Sequence, residues 1–143
     1  MTNKKISLII DTNWFVSAAI NRKSRRTLYQ TIIADTRFEI FYSNELLTEY
    51  NRVIARKKFS KYVTPAQANR LMVFLLPRLS KTQSMPHTGV RDVKDNYLIG
   101  MCKSCKPDFL ITGDVDLLIL ETFQETTILT MGQFLQLMPL LKK

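Results

Sequence analysis

Short apolar runs rich in β-branched and aromatic residues alternate along this chain with stretches whose apolar residues recur at helical spacing. No other feature constrains the fold as much. Ile6-Ser7-Leu8-Ile9-Ile10 reads as a strand, and Asp11-Thr12-Asn13 follows it directly, before a helical pattern that starts near Trp14. A helix is expected over 25–35 and a strand over 38–42. Ser43 is a good N-cap for a helix over 43–56, in which Leu46, Leu47, Tyr50, Val53 and Ile54 line one face. Thr64-Pro65 opens a helix that runs through 76 and is ended by Pro77. The stretch 77–91 carries no legible period. After it come a helix over 95–105, strands over 108–112 and 126–130, and a short helix over 131–138. Parallel strands need crossover connections, and right-handed crossovers place helices on both faces of a sheet. The alternation therefore predicts the α/β class: a three-layer α/β/α sandwich around a mostly parallel central sheet.

At 143 residues the chain can bury one sizeable core, and it shows no repeat, linker or low-complexity tract, so a single domain over 1–143 is expected. Asp11 stops the first apolar run well short of a signal-peptide core. No charge-free apolar stretch approaches the ~18 residues of a transmembrane helix, so a soluble, cytoplasmic chain with no membrane partner is expected. Cys102 and Cys105 cannot build a disulfide framework and lack the second ligand pair of a structural zinc site; both read as helix-face core. Lys and Arg number 21 against 12 Asp and Glu, a formal charge of +9. That surplus is the electrostatic footprint of a nucleic-acid partner, although an anionic membrane surface would also attract it.

Against this basic background the placement of a few acids is informative. In parallel sheets the functional crevice lies beyond the carboxyl ends of the strands. Asp11 leaves the first strand at that edge, Asp114 follows Thr112-Gly113 at the same edge of a later one, and Asp116 lies two residues on. At about 100° per residue, with Asp95 as origin, Leu98, Ile99 and Cys102 fall near −60°, +40° and −20°. Asp95 thus sits inside an apolar stripe, where a carboxylate is costly unless paired, hydrogen-bonded or bound to metal, although an acid there can also cap the helix. Glu49 lies at the border of its own helix's stripe and could simply pair with Arg52 at i+3, but its helix follows a strand, so its early turns face the crevice. Four carboxylates within about 4 Å of one another would repel by roughly 4 kcal/mol per pair at an effective dielectric of about 20, so such a cluster requires a cation. The donors are all oxygens, and the sole histidine, His87, lies in the illegible stretch. Mg²⁺ or Mn²⁺ therefore fits better than Zn²⁺. A basic exterior around an acidic, metal-filled crevice suits phosphodiester hydrolysis.

Two surface patches could hold phosphates: Arg22, Lys23, Arg25 and Arg26, and the stretch Arg56, Lys57, Lys58 and Lys61, interleaved with Phe59 and Tyr62. Cations near a helix C-terminus also complement its dipole, which is the plainer explanation of the second. Trp14, Phe15, Phe38, Phe41, Phe74 and Phe109 are expected to be core aromatics. Isolated glycines argue against a dinucleotide-binding turn. Asp114-Val115-Asp116 has too little chain after it for the later lysine and acid pair of a haloacid-type phosphatase.

Three segments carry a family resemblance: Ile9-Ile10-Asp11-Thr12-Asn13; Ser43-Asn44-Glu45-Leu46-Leu47-Thr48-Glu49; and Arg91-Asp92-Val93-Lys94-Asp95-Asn96, running on to Leu110-Ile111-Thr112-Gly113-Asp114-Val115-Asp116-Leu117. In order and spacing the sequence resembles the PIN-domain nucleases, especially those acting as toxins in bacterial toxin–antitoxin pairs. The resemblance implies that Asp11, Glu49, Asp95 and Asp114 bind the divalent metal, with Asp116 assisting and Asn13 and Thr112 shaping the pocket. It also implies an RNA substrate, a cognate antitoxin protein that blocks the site, and homodimers. Members commonly have proline between the two acids of the third motif. Here Val93 stands instead, so the third ligand is Asp92 or Asp95, and the stripe position favours Asp95. A catalytically silent RNA- or protein-binding module that keeps the fold is the alternative.

Overall fold

A computed structural model describes residues 4–86 and 96–142. The predicted strand–loop–helix opening is present as β1 (Ile6–Ile10) and α1 (Thr12–Ile20), with Asp11 as the N-cap between them. Next come α2 (Arg22–Arg26), a π-helical segment (Thr27–Ile33), β2 (Phe38–Tyr42) and α3 (Asn44–Ile54). A turn at Lys57–Phe59 leads to α4 (Pro65–Leu75) and the two-residue β3 (Ser80–Lys81). The described chain resumes with α5 (Asn96–Cys105), β4 (Phe109–Ile111), α6 (Val115–Leu118), β5 (Thr122–Phe123), β6 (Thr126–Leu129) and α7 (Met131–Leu137). Among the described residues these strands form a six-stranded sheet in the order β3-β2-β1-β4-β6-β5, with every pairing parallel except β5 with β6. The helices complete a three-layer α/β/α fold around it.

Local chemistry explains most boundaries. Ser43 caps α3 by accepting the Leu46 N–H at 3.1 Å. Thr64 and Gln67 form a reciprocal capping box at the start of α4, with Pro65 in its first turn. Asn21 accepts the N–H groups of Lys23 and Ser24, so the second helical stretch begins at Arg22, earlier than its apolar pattern suggests. Leu8, Ile9 and Ile10 of β1 and Leu110 and Ile111 of β4 are fully buried, as expected of central parallel strands covered on both faces.

Phe74 departs from expectation. Phe15 and Phe38 are buried and Trp14, Phe41 and Phe109 half-buried, but Phe74 is 43% exposed. Ala68, Met72 and Leu75 form the buried face of α4, and at about 100° per residue Phe74 points some 120° away from Ala68.

Gly100 is where the strap 82–86 crosses α5. The Met85 N–H donates to the Gly100 carbonyl at 3.0 Å, the Ser84 hydroxyl to the Tyr97 carbonyl at 2.7 Å, and the Lys103 amine to the Pro86 carbonyl at 3.1 Å. A methyl group at Gly100 would overlap the Met85 carbonyl oxygen and the Ser84 hydroxyl. Alanine would gain about 1 kcal/mol in helix propensity, but overpacking against backbone costs about 1–3 kcal/mol. Gly100→Ala should therefore lower stability in urea titration, and an unchanged or raised midpoint would contradict this contact.

Candidate functional site

The sheet brings the first and last acidic segments together. β1 and β4 are parallel neighbours with Ile10 opposite Ile111, so the residues leaving them, Asp11 and Thr112, emerge side by side. The ladder continues past the strand ends: the Asp11 N–H donates to the Ile111 carbonyl at 2.8 Å and the Thr112 N–H to the Leu129 carbonyl at 3.0 Å. From β1 the chain proceeds outward to β2 and β3, then returns to build β4 and β6 on the other side. This rim is therefore the point of reversal at which parallel sheets open a crevice.

Asp11 is only 6% exposed. One carboxylate oxygen accepts the Asn13 N–H at 3.1 Å and the other accepts the Thr112 hydroxyl at 2.6 Å. Burial pushes its pKa above the ordinary value; the two hydrogen bonds oppose that rise, and the nearby charges of Asp114 and Glu49 add to it. Among the described residues the ion pairs are Arg37 with Asp35 and Arg52 with Glu49, and neither involves Asp11. A buried carboxylate in an acidic field, with no basic side chain against it among the described residues, is a place where a hard divalent cation would relieve both burial and repulsion.

The buried Thr112 hydroxyl also accepts the Asp114 N–H at 3.1 Å, and an Asp114 oxygen in turn accepts the Asp116 N–H at 2.8 Å. Thr112, Asp114 and Asp116 thus form one hydrogen-bonded loop, with Asp114 capping the short α6. Glu49 lies on the second turn of α3, its side chain 20% exposed and both oxygens forked onto Arg52 at 2.9 and 2.8 Å. It is close enough to push the Asp11 pKa upward, yet it is engaged by the cation three residues on. Asn13 approaches Asp11 through its backbone, and the residue as a whole is exposed. Asp92, Asp95 and His87 lie outside the described residues. Among the described residues no three acids, histidines or cysteines gather closely enough to hold a metal by themselves. Both basic patches are exposed: Arg22, Lys23, Arg25 and Arg26 on α2, and Arg56, Lys57, Lys58 and Lys61 around the turn after α3. Cys102 is buried and Cys105 half-buried, and burial pushes their thiols up to about 12 and about 11, which leaves them inert.

Thr12, next to Asp11 in the chain, and Tyr97, to which no motif or spacing in the sequence assigns a role, hydrogen-bond through their hydroxyls across α1 and α5.

The raised Asp11 pKa has a consequence for the metal-free protein. A carboxyl that binds its proton more tightly when folded contributes stability that is fully present below its ordinary value of 3.8 and is lost as pH rises through the folded value. In EDTA, wild type should therefore lose stability over that rise relative to Asp11→Asn, which has no proton to give up. Melting profiles that stay parallel from acid to neutral pH would contradict the assignment.

Asp11 and the Asp114 loop thus meet at the switch point of a mostly parallel sheet, the edge at which α/β sandwiches place their functional sites. A family model described as PIN domain matches residues 7–116, a span that begins in β1 and ends at Asp116, so that it takes in the acids of all three segments. An uncharacterized protein of Methanocaldococcus jannaschii is 31% identical over 124 residues, covering 84% of this chain and 78% of that protein. No solved structure matches significantly. The chain belongs to the PIN-domain family, whose nuclease-type members generally depend on divalent metal. Among the described residues no helix is long and apolar enough to cross a membrane.

Proposed function

We propose that this protein is a Mg²⁺- or Mn²⁺-dependent endoribonuclease, a single domain over 1–143, and the toxin of a toxin–antitoxin pair. One observation carries the nuclease reading. The Asp11 carboxylate is buried at the sheet's switch point, in the field of Asp114 and Glu49, with no basic side chain paired to it among the described residues. Asp11, Glu49, Asp95 (or Asp92) and Asp114 would hold the ion, with Asp116 assisting. A divalent ion bound there supplies an activated water and stabilisation of charge on the phosphate. The chain's own part is positional: Thr112 fixes the Asp11 carboxylate and the Asp114 backbone together, and the exterior cations hold the RNA phosphates that an unmetallated acidic rim would repel. The toxin role, a cognate antitoxin protein, a homodimer and a cytoplasmic location rest on the resemblance of the three acidic segments to toxin members of the family.

The second reading, a silent RNA- or protein-binding module, draws on the Glu49–Arg52 ion pair, which occupies a proposed ligand. Incubation of purified protein with generic RNA and Mg²⁺ or Mn²⁺ separates the two. Cleavage stopped by EDTA and by Asp11→Asn supports the enzyme; no cleavage by wild type, or equal cleavage by the variant, overturns it. Growth arrest on induced expression, with sequencing of the new RNA ends, tests the toxin role, and unimpaired growth would remove it.

A further inference from the structure

Two neighbouring depressions lie where the end of α1, α2 and the π-helical segment meet α4, and they share Arg25, Leu71 and Phe74. Arg22, Arg26 and Arg70 line them together with the rings of Tyr29, Tyr62 and Phe74, and among the described residues no acid lines either one. Phe74 and Tyr62 are 43% and 58% exposed, and both rings line the second depression. The Phe74 ring is already set in place. It meets Tyr29 edge-on at 4.9 Å, and the Arg78 guanidinium, anchored to the Phe74 carbonyl at 2.6 Å, lies 4.0 Å from its centroid. Arg25 is likewise fixed, donating to the Ala18 carbonyl at 3.0 Å.

We infer that this groove is a binding site for single-stranded RNA, in which the arginines hold phosphates and the exposed rings of Phe74 and Tyr62 stack on bases. The inference rests on the ribonuclease reading for its biological sense and extends it to a surface outside the acidic rim. Four arginines without an acid select an anion. Flat rings presented between them select bases over the carboxylates of an acidic peptide, because stacking is available from every base whatever the sequence. The groove also lies at a useful distance. α1 begins at the Asp11 cap and ends at the groove with Ala19 and Ile20, and its 9 residues span about 13 Å. A strand seated in the groove can therefore continue along α1 to the acidic rim.

Binding can be measured apart from cleavage: a fluorescent ten-nucleotide RNA of mixed sequence is titrated with full-length Asp11→Asn protein in EDTA at several salt concentrations. Adding Phe74→Ala and Tyr62→Ala should weaken binding at least about tenfold without changing the salt slope, since stacking releases no counterions. Adding Arg22→Ser, Arg26→Ser and Arg70→Ser instead should flatten the slope by about 2, at roughly 0.7 per lost phosphate contact. Phe74→Tyr with Tyr62→Phe keeps both rings and should bind as the parent does; loss of affinity there, or unchanged affinity in the alanine and serine variants, overturns the site. If the alanine pair loses a polyglutamate peptide but keeps RNA, the groove belongs to an acidic protein and the inference is likewise overturned. Wild-type protein that binds RNA through the groove but never cleaves it in Mg²⁺ would sink the nuclease reading and leave the groove standing. Cleavage with groove variants that bind normally would do the reverse.

Discussion

Asp11→Asn is expected to reduce metal-dependent RNA cleavage by about a thousandfold, the loss that follows when several kcal/mol of charge stabilisation is withdrawn from the transition state. The same substitution should leave the metal-free protein at least as stable as wild type at neutral pH. These opposite signs have one cause. The Asp11 carboxylate is buried and faces Asp114 and Glu49, so in the absence of a cation its charge is a liability to the fold. Asparagine is nearly isosteric. Its amide oxygen can accept the Asn13 N–H, and its amide nitrogen can donate to Thr112, whose hydroxyl turns to suit. Added Mg²⁺ or Mn²⁺ should raise the melting temperature of wild type, increasingly with the logarithm of metal concentration above Kd, and leave that of the variant unmoved. Undiminished cleavage by the variant would mean that Asp11 is only the cap of α1. A variant that melts well below wild type in EDTA would mean that the carboxylate has a structural partner instead.

The parts of this fold that could be read in the sequence are those specified locally. β1 and β2 appear with the limits their apolar runs give, and α3 and α4 begin where Ser43 and Thr64 can cap them. The proximity of Asp11 to Asp114 also follows from the sequence, because it needs only parallel strands and a common exit edge. Features that depend on partners distant in sequence could not be read. β3 is two residues long and carries no period; it exists because Phe41 and Tyr42 offer it an edge to pair with. β5 pairs with β6 through a tight turn that has neither glycine nor asparagine, where Gln124 takes a φ of 53°. That left-handed residue is the one a hairpin signal would have supplied as Gly or Asn. The helix expected over 25–35 is continuous in outline but passes into a π-helix at Thr27–Ile33, with the Ala34 N–H reaching back to the Tyr29 carbonyl at 2.8 Å. No propensity marks such a transition. In the candidate site the residue pattern pointed to the charges, and only the family resemblance pointed to Asn13 and Thr112, the uncharged groups that hydrogen-bond to Asp11. The Glu49–Arg52 fork follows the i+3 spacing that the sequence offered, whereas the Thr12–Tyr97 contact depends on side-chain reach between two helices distant in sequence.

Thr112→Val is expected to raise the Mg²⁺ concentration for half-maximal cleavage by about 10- to 100-fold, the range typical when a group that orients a ligand is lost. It should also cost about 1–3 kcal/mol of stability in urea. The hydroxyl has two partners. It donates to one Asp11 oxygen at 2.6 Å and accepts the Asp114 N–H at 3.1 Å, so it joins the loop carrying one acid to the side chain of the other. Valine has the same shape and neither function. It strands a buried carboxylate oxygen and an amide together, and it removes a hydrogen bond that opposes the upward push of burial on Asp11. Thr112→Ser keeps the hydroxyl and should recover most of both losses, giving up only a buried methyl group. If Thr112→Val unfolds more easily but needs no more metal, Thr112 is a packing residue at the end of β4. If serine fails to rescue the metal requirement, the methyl group rather than the hydroxyl sets the position of Asp11. The distinction matters because Thr112 is where sheet and site are joined: its N–H continues the β4–β6 ladder to Leu129 while its hydroxyl reaches the carboxylate. Through that one residue the acids at the strand ends are tied to the central strands, so a cation binding there would meet ligands already held in position.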